Sequence, residues 1–306
     1  MKYLITLLLS TAVTFANAQN VDFAPLPAPD GLEIFAPGIV SNNFYQRDMA
    51  ISPDKSIMVY SHVISVGASS VLVYRTISNG EWSLPQILPF SNGPYDIEPF
   101  FSPDGEKLYF ASNNGTTNQN FDIWSVDVNG GSWGTPTRLN DNINTDANEY
   151  YPSIDNEGTL YYTAAYSDVA GEDIWMSKFE NGEYQPRQVV AGALNTGNDE
   201  FNAFIDPAGS FMLFSSFGRA DGQGGGDLYR SNINGDQFAA GVNYGTPINT
   251  QRLDFCPFVT PDGDYLFFTS EVAVDNSVTV ESILDVNDII DFVSFPGQAN
   301  IYWQEF

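Results

Sequence analysis

The sequence predicts an all-β protein, a five-bladed β-propeller, and three observations carry the prediction. A strand–turn–strand–loop–strand unit occurs five times, its tight turns are evenly spaced, and the last unit lacks a strand that the N-terminal region supplies. A period near fifty residues with four strands per unit is the signature of propeller blades built as four-stranded antiparallel sheets.

The clearest unit is Ile97 to Trp124. Glu98 to Phe101 is short and mostly apolar, Ser102-Pro103-Asp104-Gly105 is a turn, Lys107 to Ala111 is a second apolar run, and Asp122-Ile123-Trp124 begins a third strand. Pro103 presets φ at the second turn position and Gly105 supplies a permissive backbone at its end. Trp133 to Pro136 with Arg138-Leu139 then reads as the fourth strand.

The other units align on their turns at Ser52-Pro53-Asp54-Lys55, Asp155 to Gly158, Asp206 to Gly209 and Thr260 to Gly263, at intervals of 50, 53, 51 and 54 residues. The fifth unit stops at Phe306, directly after its third strand. Residues 33–39 resemble the end of a unit, so N- and C-terminal strands are expected to close the ring in one blade, which leaves no open sheet edge. Six blades are the alternative, with the sixth drawn from between Glu271 and Asn300. That segment has no such turn and instead spaces Ile283, Val286, Ile289 and Ile290 as a helix would, so a loop and short helix are expected over about 272–299.

Residues 1–18 read as a signal peptide: Lys2, an apolar run from Leu4 to Phe15, and Ala16-Asn17-Ala18 as the cleavage signal. No Cys follows the run, which argues against a lipoprotein, and no stretch is long enough to span a bilayer. Residues 19–306 are expected to form a single domain, periplasmic or secreted and monomeric. The lone thiol, Cys256, makes no internal disulfide. With 38 acidic residues against 11 Lys and Arg, the formal net charge is −27, which repels nucleic acid and anionic membranes and favours cations or basic surfaces.

The Ser-Pro-Asp-Gly turns, the Asp-Ile-Trp and Asp-Leu-Tyr strands, the stretch 215–229 and the Asn-Thr pairs at 144–145, 195–196 and 249–250 resemble PD40 repeats, the WD40-like units of TolB-like periplasmic proteins. The resemblance implies a propeller over nearly the whole mature chain and says little about function. The Gly-His and Trp-Asp pairs of WD40 repeats are not the pattern here, with one histidine in the chain. TolB's extra N-terminal domain has no counterpart in this sequence.

First strands line a propeller's channel. Counting back from the third turn residue, the eighth position holds Gln46, Asp96, Glu149, Glu200 and Asp254, and the sixth holds Asp48, Glu98, Tyr151, Asn202 and Cys256. Even spacing places both positions on one side of a strand, the apolar odd positions packing between blades. The channel-mouth candidates are therefore Asp48, Asp96, Glu98, Glu149, Glu200 and Asp254, or else these acids serve blade packing alone. Arg219, a cation in the Gly-rich loop 218–227, joins them, and Asp221 and Asp227 there are candidate ligands for Ca²⁺. Trp124, Trp175 and Trp303 sit where third strands pack between blades.

Two functions stay open. One is a non-catalytic module for a protein or glycan, with Ca²⁺ as a candidate cofactor. The other is a carbohydrate-active enzyme resembling glycoside hydrolases, using channel carboxylates such as Asp96, Glu149 and Glu200. Metal chemistry on a His and Cys cluster is excluded by count.

Overall fold

The computed structural model describes residues 31–37, 39–41, 44–66, 69–78, 81–114, 120–166, 171–271 and 299–306. The expected signal peptide, and the expected insertion at about 272–299 except its last residue, lie outside the described residues.

Among the described residues, twenty-five strands make five blades around one axis. β1 (Glu33–Ile34) comes first in the chain. Blade 1 follows with β2 (Tyr45–Ile51), β3 (Ile57–Ser65), β4 (Ser69–Ser78), β5 (Glu81–Trp82) and β6 (Gln86–Ile87). Blade 2 has β7 (Asp96–Phe101), β8 (Lys107–Ser112), β9 (Asp122–Asn129), β10 (Ser132–Trp133) and β11 (Thr137–Arg138). Blade 3 has β12 (Glu149–Ile154), β13 (Leu160–Ala164), β14 (Asp173–Ser177), β15 (Phe179–Glu180), β16 (Glu183–Tyr184) and β17 (Gln188–Val189). Blade 4 has β18 (Asp199–Ile205), β19 (Phe211–Phe217), β20 (Asp227–Asn234), β21 (Gln237–Phe238) and β22 (Val242–Asn243). Blade 5 has β23 (Asp254–Val259), β24 (Tyr265–Ser270) and β25 (Asn300–Glu305).

The last sheet runs β1-β25-β24-β23, so the ring closes as the sequence predicts. Glu33 pairs with Trp303 and Ile34 with Tyr302. Phe35 then seals the seam: it is fully buried, and its ring meets Phe267 and Trp303 edge-on at 5.0 and 5.6 Å. Five blades account for every described strand, and the six-bladed alternative falls away.

The turns form for the reasons the sequence gives. Gly105 adopts φ +74° and donates its N–H to the Ser102 carbonyl, and the Asp104 carboxylate caps Ser102 Oγ and the Glu106 N–H. Lys55 takes the same left-handed conformation, φ +58°, without glycine's freedom.

The outer edge differs from the expectation of one fourth strand per blade. The third strand runs on into a tight hairpin, and the fourth strand returns to pair nearer that strand's start. Trp133 thus pairs with Val128 at the far end of β9, and Arg138 with Trp124 near its beginning. Trp175 and Trp303 are buried in the main core, with ring contacts to Tyr166 and to Phe35, Tyr265 and Phe267 of their own blades, and Trp124 packs partly buried against the core of blades 1 and 2.

Candidate functional site

The centre of the molecule is organised by one bulge repeated five times. The bulged residues Asp48, Glu98, Tyr151, Asn202 and Cys256 have φ of +53, +61, +49, +50 and +55°. Each pairing register shifts there, as between Ile97 and Phe100 in blade 2. An extra residue breaks the two-residue alternation of a strand. Hence the eighth and sixth positions before the turn do not share a side, and the alternation argument needs that correction.

The eighth-position acids do not line the channel mouth. They are buried and fasten each blade to the linker before it. Glu149 accepts from Thr145 Oγ1 and N at 2.7 and 3.2 Å, and Glu200 from Thr196 Oγ1 and N at 2.7 and 2.8 Å. Asp254 accepts from Thr250 N and Oγ1 at 2.6 and 2.8 Å, and Asp96 from Ser91 and Ser112. The preceding Asn grips backwards: Asn144, Asn195 and Asn249 each bond both the N–H and the carbonyl of one third-strand residue, Ile123, Ile174 and Leu228. Each Asn-Thr pair is a two-way latch between neighbouring blades.

Arg219 belongs to one of these latches. It donates to Glu200 at 2.8 Å and to the Leu194 carbonyl at 2.7 Å, with its guanidinium 4.8 Å from the Tyr229 ring centre. In the Gly-rich loop, Asp221 accepts from Tyr229 and Asp227 from the Gln223 N–H, while Asp227 Oδ1 is buried without a partner.

The sixth-position residues meet across the axis. Arg47 of blade 1 donates to Asp48 and to Glu98 of blade 2, both at 2.7 Å, and lies 3.3 Å from Cys256 Sγ of blade 5. Asn202 of blade 4 donates to the same Glu98 oxygen at 3.2 Å, and Tyr151 of blade 3 to the Pro257 carbonyl at 2.8 Å. Of the predicted candidates, then, Asp48 and Glu98 are brought together at the axis, and Glu200 and Arg219 in a latch away from it. The Asp48 and Glu98 oxygens and Cys256 Sγ lie within 4.8 Å of one another, a donor set of cation-site size, and the Arg47 guanidinium bonds all three.

Glu98 has a second duty with a cause in the sequence. The bulged N–H of Asp48, Glu98 and Asn202 each bonds a hydroxyl on the preceding blade's second strand: Thr269, Ser61 and Thr163. The corresponding residue of blade 2 is Ala111, which has none. Glu98 Oε2 takes the Tyr151 N–H instead, at 2.8 Å. Burial pushes its carboxyl up to about 7, with Arg47 pulling the other way. Below this polar plug, Phe204 touches Phe100 and Phe258 at centroid distances of 6.2 and 5.7 Å and fills the axis.

Above the plug the channel opens as a pocket of about 360 Å³. Aromatic residues Tyr95, Phe121, Tyr150, Phe201 and Phe255 form much of its wall, and Arg47, Glu98 and Asn202 its polar floor. Glu172 adds a half-buried carboxylate that makes no hydrogen bond to the described residues, and burial and then Asp199 raise its pKa. The seventh position before each turn, Arg47, Ile97, Tyr150, Phe201 and Phe255, supplies much of this pocket. Alternation hid that column. Its legible signal was an Arg inside a first strand of a protein so poor in cations.

No protein-family model and no curated protein sequence matches the chain. Solved structures match at the level of fold. A thermostable family-43 glycoside hydrolase is 12% identical with a TM-score of 0.53, over 89% of this chain and 92% of that one. A family-43 β-xylosidase/α-arabinofuranosidase from a compost microbial metagenome, solved with xylotriose, is 11% identical with a TM-score of 0.51, over 89% and 94%. TolB from Acinetobacter baumannii is 15% identical with a TM-score of 0.49 over 86% of this chain, which spans 55% of TolB. Likeness at these identities defines a β-propeller and transfers no activity.

Proposed function

We propose that this chain is an exported, monomeric PD40-type propeller that binds a glycan or protein ligand in the upper pocket without transforming it. The state of Glu98 supports this most directly. Both of its oxygens are committed, one to Arg47 and Asn202 and the other to the Tyr151 N–H, so the floor carboxylate is spent on structure. Glycoside hydrolysis needs two available carboxyl groups. Among the described lining residues Glu172 alone offers one. The aromatic wall suits the apolar face of a sugar ring or a side chain. A calcium contribution would sit in the Gly-rich loop, at the unpartnered oxygen of Asp227 beside Asp221, and a Ca²⁺-specific rise in melting temperature would register it.

The second reading, a carbohydrate-active enzyme, is favoured by that unpartnered Glu172. One experiment separates the two: calorimetric titration with a panel of oligosaccharides including xylotriose, followed by product analysis. Binding that Tyr150→Ala weakens, with every sugar recovered intact, supports the binding module. Turnover abolished by Glu172→Gln establishes the enzyme in its place.

A further inference from the structure

The opposite end of the channel carries a second cavity that the upper pocket does not use. It is a cup of about 510 Å³ among the blade turns. Four of the five turns place a proline at the same position on its rim: Pro53, Pro103, Pro207 and Pro261. Phe101, Phe204 and Phe258 reach it from the first strands. In blade 3 the proline is replaced by Asn156, whose N–H donates to the Pro207 carbonyl at 2.8 Å and whose exposed side-chain amide has no partner among the described residues.

The cup does not stop at its rim. A groove of about 640 Å³ runs between blades 2 and 3 and shares Ser102, Pro103 and Asn156 with it. Tyr109 and Tyr184, joined through their hydroxyls at 3.1 Å, line the groove, and Phe179 beside them is 48% exposed. The two cavities together therefore have the shape of an anchor hole with a track leading out of it.

Their charge is one-sided. Five carboxylates line them, those of Asp104, Asp155, Glu183, Asp206 and Asp262, the last of these paired with Lys55, against two lining cations. Both cations are already neutralised, Lys107 by Asp127 and Arg138 by Asp122 and Asp141. Asp104, Asp155 and Asp206 take their hydrogen bonds from neutral hydroxyls and amides of their own turns and strands.

From this we infer that the lower face docks an extended basic segment of a protein partner. One large apolar side chain seats on the phenylalanines inside the proline rim. Lys or Arg residues beside it lie along the acidic groove between blades 2 and 3, and the free Asn156 amide pairs with the segment's backbone where it crosses from cup to groove. Apolar anchor and opposite charge divide the work as they do in peptide recognition generally, the first setting affinity and the second rate and selectivity.

The test is fluorescence anisotropy on the mature chain with three labelled pentapeptides, Lys-Lys-Trp-Lys-Lys, Lys-Lys-Ala-Lys-Lys and Glu-Glu-Trp-Glu-Glu. The first should bind at least tenfold tighter than either of the others and weaken severalfold in about 0.3 M salt, where surface charges are screened. Pro261→Arg, which puts a cation over the cup, and Glu183→Lys, which reverses the groove, should each cost about tenfold or more. Both positions are exposed, so melting temperature should hold. Tyr150→Ala, in the upper pocket, should leave peptide binding intact, which keeps this result separate from the fate of the upper-pocket reading. Equal binding of all three peptides overturns the inference, as does loss on Tyr150→Ala alone. Concentration-dependent dimers that Pro261→Arg abolishes assign the face to a second copy instead. Binding that appears only after residues 19–30 are removed assigns the cup to the chain's own N-terminal arm.

Discussion

Arg47 on blade 1 and Glu98 on blade 2 meet at 2.7 Å beside the propeller axis, and Asp48 takes the other side of the same guanidinium. One cation therefore balances two buried carboxylates. Arg47→Met should cost about 3–5 kcal/mol, because it leaves buried charge without a partner. Arg47→Lys keeps the charge but not the planar fork, and should cost less. Urea unfolding measures both, and a loss below about 1 kcal/mol for the Met variant would show that the plug does not carry the centre of the ring.

Stability should fall as pH rises. Burial raises Glu149 from its ordinary 4.5 to about 7, against the pull of its Thr145 hydrogen bonds, and raises Asp254 and Asp173 from 3.8 to about 6. Between the unfolded and folded values the native state binds more protons than the unfolded chain, so the slope of stability with pH is negative there. The contribution of these carboxyls to melting temperature should be full below about pH 4, fall from there through about pH 7 and then level. Glu149→Gln, which fixes the neutral form, should flatten the upper part of that fall; an unchanged profile would mean that Glu149 titrates normally.

Asn249 holds both backbone groups of Leu228 and is fully buried. Asn249→Ala strands a buried N–H and a carbonyl, at a cost of about 2–4 kcal/mol. Thr250→Val removes one hydroxyl bond to Asp254, leaves the amide bond in place, and should cost about 1 kcal/mol. Chemical denaturation of the two variants tests the latch directly, since equal costs would leave no special role for the asparagine.

The blade count and the closing strand were legible because they depend on what a period records: turn chemistry at Pro103 and Gly105, and a strand missing beside Trp303. The site was less so. Asp96, Glu149, Glu200 and Asp254 stand out as a column of acids, yet Thr145, Thr196 and Thr250 four residues upstream of three of them mark those acids as hydrogen-bond acceptors for linkers. The bulge at Asp48, Glu98, Tyr151, Asn202 and Cys256 left no trace in residue type, since none of the five is glycine. Without it, alternation sent Tyr150, Phe201 and Phe255 to the wrong side. Glu172 escaped notice because it belongs to no repeated column and reaches the pocket from the loop leading into β14.

Glu172 and Glu98 should separate binding from folding. Glu172 bonds none of the described residues through its carboxylate, so Glu172→Gln should leave melting temperature within about a degree while changing ligand affinity about tenfold, the worth of one charged contact. Glu98→Gln removes the charge that Arg47 needs and weakens the acceptor for the Tyr151 N–H, so it should lower melting temperature and affinity together. Thermal unfolding and calorimetry on the same two samples decide the matter. Were Glu172→Gln to destabilise the protein as much as Glu98→Gln, the carboxylate would be part of the scaffold, and the pocket would have to recognise its ligand through Tyr150 and the aromatic wall alone.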